Sequence, residues 1–285
     1  MSKKLKFLIL DGYSKPSRDQ FIECGVSLAG ELYSQLLLRH LPDAEFDIIY
    51  TSDPESVIPD EVGLKAYDAI IWPGCNLTVY HENDERVSIM LKLAKSGFRL
   101  GLPQFGSCWA AQLAVYAAGG EVKPNPKGRE MGVARKIFLT DAGKKHPMYE
   151  GKKEVFDGFI SHDDMITKLP VGSTCLASND FTQIQAVEVV HENGVFWSTQ
   201  YHPEYNLYEI ARLIIAREER LTREKYFNNH EDMIDYVENL ETIYKDPSRK
   251  DLRWKLGIDD DLLSDDIREL EFVNWLKKQV TPNAK

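Results

Sequence analysis

The sequence predicts an α/β protein with a mostly parallel central sheet and a helical C-terminal extension. Over its first two hundred residues, short apolar runs alternate with stretches of helical periodicity, and most changes between them fall at Gly, Pro or Asp. Strands alternating with helices in this way build parallel sheets covered on both faces. After Asn206 the pattern changes to charged segments with helical spacing. The sequence therefore divides into an α/β body, residues 1–212, and a helical extension, residues 213–285.

Leu5 to Leu10 reads as a buried strand ending at Asp11-Gly12. Leu28, Leu32, Leu36, Leu37 and Leu41 share one helical face, and that helix stops at Pro42. Phe46 to Tyr50 is a second strand, and Tyr67 to Trp72 a third, apolar on both faces and closed by Pro73-Gly74. Val87 to Ala94 is helical with a cap expected near Gly97. Leu100 to Phe105 is the next strand, and Trp109 to Ala118 a helix closed by Gly119-Gly120. Farther on, Val133 to Leu139, Thr174 to Ala177, Gln183 to Val190 and Gly194 to Gln200 read as strands, the last two a hairpin turning at Asn193-Gly194. Leu207 to Ile215, Met233 to Tyr244 and Leu262 to Leu276 read as helices, interrupted by Pro247, Gly257 and Asp259-Asp260-Asp261.

Composition narrows the function classes. The 285 residues are 43% hydrophobic and 28% charged, with a mean hydropathy of -0.38, enough apolar content for a packed core. Thirty-five basic against 45 acidic side chains leave a formal charge of -10. Such a chain repels a phosphate backbone, and its densest basic stretches, Lys3-Lys4-Lys6 and Lys144-Lys145, are short, so nucleic acid is not expected as a partner. No apolar run approaches the roughly 20 residues that span a bilayer. The apolar run after the N-terminal lysines is too short for a signal peptide, so no membrane partner and a cytoplasmic location are expected. Cys24, Cys75, Cys108 and Cys175 are scattered without metal-ligand spacing, so no metal or cofactor is expected.

Chemistry concentrates in three places. In Pro103-Gln104-Phe105-Gly106-Ser107-Cys108-Trp109-Ala110, an apolar strand runs through Gly106 to a cysteine that opens a helix. That is the layout of a nucleophile elbow. The helix N-terminus favours a thiolate at Cys108, and the Trp109 amide faces the oxyanion of an attacked carbonyl. In Tyr201-His202-Pro203-Glu204, alternate residues share a side if the segment is extended, so a carboxylate can orient the imidazole. The buried strand before Pro73-Gly74 offers the Gly74 amide as a second oxyanion donor. Each has a bland alternative: a buried core cysteine, a solvated loop end and an ordinary turn. The remaining histidines, His40, His81, His146, His191 and His230, read as surface residues, and Asp259 to Asp261 as a helix-capping run.

Together these segments resemble the class I glutamine amidotransferases, over roughly residues 5–206. Gly128-Arg129-Glu130-Met131-Gly132 and Phe159-Ile160-Ser161-His162-Asp163-Asp164 followed by Lys168-Leu169-Pro170 are similar to segments of the branch containing the amidotransferase domain of GMP synthetase and its stand-alone relatives. The resemblance implies a flavodoxin-like three-layer fold. It also implies Cys108 as nucleophile, His202 as base and then acid, Glu204 as orienting carboxylate, and Gly74 and Trp109 as oxyanion donors. Gln112, Ser161 and His162 would then lie near the bound glutamine.

The implied reaction is hydrolysis of the glutamine side-chain amide through a γ-glutamyl thioester on Cys108, with ammonia passed to an acceptor or to a separate synthetase subunit. Two other readings remain open at this point: a stand-alone hydrolase or peptidase of γ-glutamyl amides, and a non-catalytic binding protein on the same scaffold. The extension is expected to pack on the body, on a second copy as a homo-oligomer, or on a partner. The family's elbow usually has glycine where this chain has Ala110, so the methyl is expected to crowd the turn or narrow the substrate site.

Overall fold

The computed structural model describes residues 4–283; Lys3 of the basic N-terminal stretch and the last two residues of the extension lie outside them. The strands are β1 (Lys6–Asp11), β2 (Glu45–Tyr50), β3 (Ala69–Trp72), β4 (Gln104–Ser107), β5 (Glu121–Pro124), β6 (Glu130–Leu139), β7 (Val155–His162), β8 (Asp164–Lys168), β9 (Ser173–Ser178), β10 (Ala186–His191) and β11 (Gly194–Thr199). The helices of the body are α1 (Lys15–Cys24), α2 (Ala29–His40), α3 (Glu61–Leu64), α4 (Glu85–Leu100) and α5 (Trp109–Ala117). They are followed by α6 (Leu207–Ala216), α7 (Glu218–Arg223), α8 (His230–Lys245), α9 (Lys250–Leu256), α10 (Asp260–Leu263), α11 (Asp265–Arg268) and α12 (Leu270–Trp275).

Nine strands form one sheet in the order β2-β1-β3-β4-β11-β10-β9-β6-β7, and β5 pairs with β8 beside it. From β2 to β11 neighbouring strands run parallel; from β11 to β7 they run antiparallel. The parallel part matches the expected doubly covered sheet. In β1, Leu8 and Leu10 join the apolar cluster under α4 and α5, while Phe7 and Ile9 join the opposite cluster with α2 and α12. That is the period-2 logic of a strand buried on both faces. A third cluster joins α1, α6, α8 and α10 around Ile210, Leu213 and Met233.

Several boundaries move for identifiable reasons. Helix α4 does not stop near Gly97 but runs to Leu100, where Gly101 at φ 66° supplies the left-handed cap. Gly97 is needed for close approach instead: a Cβ there would lie 2.7 Å from the Gln104 side chain. The following strand accordingly begins at Gln104, whose Oε1 accepts from Trp72 Nε1 at 3.0 Å. The hairpin pairs His191 with Gly194, so its loop is Glu192-Asn193 and Glu192 takes the positive φ of 50°. Gly194 is held in the strand because a Cβ would come 2.7 Å from Phe98 Cα.

The segment expected as one helix from Leu262 to Leu276 is broken at Ser264, which is extended, into α10, α11 and α12. Asp259 does cap α10 through Asp260 N. The residues of α12 are not a loose appendage: Phe272 and Trp275 are fully buried against Phe105 of β4, with ring centroids 5.4 and 5.5 Å apart. No helix among the described residues is long and apolar enough to cross a membrane.

Candidate active site

Parallel sheets carry their sites beyond the C-terminal ends of the strands, and here β3, β4 and β11 end side by side. Cys108 is the N-cap of α5, with φ 55° and ψ -108°, a conformation that costs a non-glycine residue energy and holds its side chain above the sheet. Its amide donates to Thr199 O of β11 at 2.7 Å, which fixes the elbow against the strand leading to His202. Gly106 makes the turn feasible. A Cβ there would sit 2.3 Å from Trp72 O and 2.5 Å from Ala110 Cβ. The Ala110 methyl therefore fills the space that Gly106 leaves inside the core, and it neither crowds the elbow nor lines the cavity.

His202 and Glu204 come together, although by a different route from the expected extended segment: both lie in the turn after β11. His202 N donates to Phe159 O at 2.8 Å, and His202 Nδ1 bonds Glu204 Oε1 at 2.6 Å. Ser107 Oγ donates to the same carboxylate oxygen at 2.8 Å. Burial alone would pull the imidazole pKa down, but the Glu204 charge and hydrogen bonds with Cys108 and Glu204 outweigh it and push it up to about 9. The ring of Tyr205 stacks on His202 at 4.1 Å with planes 1° apart, which blocks rotation of the imidazole. Gly74 closes the group. A Cβ at that position would lie 3.1 Å from His202 Cε1 and 3.3 Å from Cys108 Cβ. The Trp109 amide, in the first turn of α5, has no intrahelical acceptor.

Of these groups, Cys108 and Trp109 line a cavity of about 660 Å³. Gln112, Ser161 and His162 line it, all largely buried. Gln112 Nε2 donates to Asp164 O at 3.1 Å and to Gln200 Oε1 at 3.3 Å. Ser161 O accepts from Cys108 Sγ at 3.5 Å. His162 is held by Asp164 O at 2.7 Å and by Glu130 Oε2 at 3.2 Å. Burial would raise the Glu130 carboxyl, but donors from His162, Asn179 and Thr182 keep it below the usual range. Among the described residues, no group of three or more His, Cys, Asp or Glu side chains is arranged to hold a metal.

Sequence reasoning passed over several participants. Ser107 stood inside the quoted elbow segment without a role, and Tyr205 directly follows Glu204. Arg129 stood inside a quoted segment without a role; its NH1 donates to Ser161 Oγ at 3.1 Å. Tyr13, from the loop before α1, and Arg217, before α7, reach the cavity from segments with no motif. Cys75 also lines it, but burial pushes its thiol pKa well up, which disfavours it as a nucleophile. Two histidines expected at the surface are engaged instead: His40 with Glu269 at 2.6 Å and His146 with Glu188 at 3.0 Å.

Comparison with known proteins bears on this geometry. The family described as glutamine amidotransferase class-I matches residues 21–218. A γ-glutamyl-L-1-hydroxyisopropylamide hydrolase from a Pseudomonas species is 32% identical over 291 residues, covering 99% of this chain and 96% of its own. A glutamine-hydrolysing GMP synthase from Clostridium novyi is 30% identical over 175 residues, 61% of this chain. The chain spans about a third of that synthase, the match covering 31% of it. Among solved structures, a glutamine amidotransferase from Thermotoga maritima superposes with a TM-score of 0.68 at 17% identity, covering 98% of this chain and 99% of that one, a likeness of fold. A family match over more than two thirds of the chain and a relative aligned from end to end agree with the layered fold: the chain belongs to the class I glutamine amidotransferase family.

Proposed function

We propose that the protein is a cysteine hydrolase of γ-glutamyl amides whose leaving amines are larger than ammonia. The observation that carries this reading is the extent of the similarity to the γ-glutamyl amide hydrolase. It covers 99% of this chain, the extension included, whereas the match to the GMP synthase covers 61% and the family match ends at residue 218. A cavity of about 660 Å³ supports it, since that volume lies in the range of drug-sized ligands rather than of a bare amide. Residues 1–212 hold the reacting groups in this reading, and 213–285 shape the far wall through α7.

The chemistry uses the groups in turn. Cys108 Sγ attacks the γ-carbonyl carbon and its proton resides on His202, which Glu204 keeps in orientation. The carbonyl oxygen becomes an oxyanion facing the Gly74 and Trp109 amides. Collapse breaks the C–N bond, and the amine leaves with the proton from His202. Water then attacks the γ-glutamyl thioester while His202 takes its proton, and glutamate and the free thiol are restored. Gln112, Ser161 and His162 hold the glutamyl portion, the last two chiefly through their backbone.

A second reading, hydrolysis of glutamine with delivery of ammonia to a separate acceptor subunit, is favoured by the similarity to GMP synthases. The test is glutamate release by the isolated protein from glutamine and from γ-glutamyl amides of increasing size. Turnover of the larger amides well above glutamine, lost in Cys108→Ala and kept in Cys75→Ala, is expected. Negligible turnover of every amide, together with covalent labelling of Cys108 by a glutamine-like electrophile, would refute the stand-alone hydrolase and favour the partnered one.

A further inference from the structure

The cavity wall formed around α7 carries four guanidinium groups, on Arg129, Arg217, Arg220 and Arg223. Three have carboxylates. Arg129 and Arg220 share Asp163 at 2.5 and 2.6 Å, with Glu224 beside them at 3.6 and 2.6 Å. Arg223 faces Glu219 at 3.9 Å. Asp164, the remaining acid of the wall, accepts from Tyr80 Oη at 3.1 Å. Arg217 makes no ion pair among the described residues. Its NH1 donates to Ser161 Oγ at 2.8 Å, a neutral oxygen that already accepts from Arg129.

Arg217 also lies close to the reacting groups. The carbonyl of the same Ser161 touches Cys108 Sγ, and the charge of Arg217 reaches the hydroxyls of Tyr13 and Tyr205, the latter stacked on His202. A half-buried guanidinium without a counter-charge, bordering the cavity beside the nucleophile, has the planar fork that pairs with a carboxylate through two hydrogen bonds.

We propose that Arg217 is the receptor for a carboxylate of the substrate and so sets its specificity for acidic γ-glutamyl compounds. This rests on the γ-glutamyl reading above. The carboxylate has two sources: the α-carboxylate of the glutamyl portion, or an acidic group on the leaving amine.

The test compares wild type, Arg217→Gln and Arg217→Lys on γ-glutamylethylamide, its α-carboxamide counterpart, and γ-glutamylglycine. Arg217→Gln should raise KM by about 10- to 100-fold with a much smaller change in kcat, and Arg217→Lys should recover part of it. A loss seen with γ-glutamylethylamide but not with the α-carboxamide assigns the α-carboxylate. A loss confined to γ-glutamylglycine assigns the leaving group. An unchanged KM on all three, or an equal loss on the α-carboxamide, which has no carboxylate, would overturn the proposal and leave Arg217 as a support for Ser161. Calorimetric titration of L-glutamate into Cys108→Ala, with and without Arg217→Gln, separates this from the reaction itself. Arg217-dependent binding without turnover of any amide would refute the hydrolase and keep the receptor, whereas turnover with Arg217-independent binding and KM would do the reverse.

Discussion

Replacing Glu204 by Gln should move the alkaline limit of activity down, by as much as about two pH units. In the wild type burial opposes the charge on His202, yet the Glu204 carboxylate and the hydrogen bonds with Cys108 and Glu204 carry its pKa from 6.5 to about 9. That difference corresponds to about 300-fold in the protonation equilibrium, or ~3 kcal/mol. Gln keeps the shape and removes the charge that sits 2.6 Å from Nδ1. Burial is then opposed by little more than the interactions with Cys108, so the imidazole gives up its proton at a lower pH. Less of the protein then carries the imidazolium that donates to the leaving amine. Rates of γ-glutamyl amide hydrolysis between pH 5 and 10 should fall in the wild type above about pH 9, and in Glu204→Gln from a distinctly lower pH. Stability should follow the same sign. A raised folded pKa contributes fully below 6.5 and is lost as pH rises through about 9. The wild type should therefore lose thermal stability across that window, a loss missing from the variant. An unchanged alkaline limb in Glu204→Gln would refute the assignment of Glu204 as the group that holds the proton on His202.

Three further outcomes are expected. Ala110→Gly should leave KM unchanged, because the methyl faces Gly106 in the core, while lowering stability by about 1 kcal/mol through helix propensity in a thermal melt. Gly106→Ala should destabilise by about 3 kcal/mol or more, since its Cβ would collide with Trp72 O, which is backbone, and with Ala110; its soluble yield and Tm report this. Trp275→Ala should cost about 3–5 kcal/mol in denaturant unfolding and depress activity as well, because the ring packs against Phe105 of the strand that carries Cys108.

The parallel strands and the elbow were legible because their causes are local. The double-faced apolar runs of β1 and β3 suit buried strands, and Gly106 two residues before Cys108 suits a tight turn from strand to helix. Elements whose cause is a distant partner were not legible. Strand β7 was seen only as a motif, since its ladder is made with β6. Gly97 looks like a helix stop until the Gln104 side chain is known to press on it. The pairing of His202 with Glu204 was anticipated, but the geometry behind it was not, because a proline between two polar residues suits a strand end or a turn equally. Arg217 left no trace in the sequence. Its meaning comes from what its neighbours Arg129, Arg220 and Arg223 already hold.

The burial of α12 beneath β4 also sets the order of events during synthesis. Tyr201, directly before His202, donates its hydroxyl to Glu271 at 2.6 Å, and Glu271 in turn pairs with Lys152 at 3.0 Å. The strand that carries Cys108 and the turn that carries His202 both rest on side chains translated more than sixty residues after His202. Chains emerge from the ribosome N-terminus first, at about 5–20 residues per second. A nascent chain thus exposes its cysteine elbow for several seconds without the apolar floor under it. A chain that loses residues 270–280 to a premature stop or a protease is left without that floor beneath Phe105.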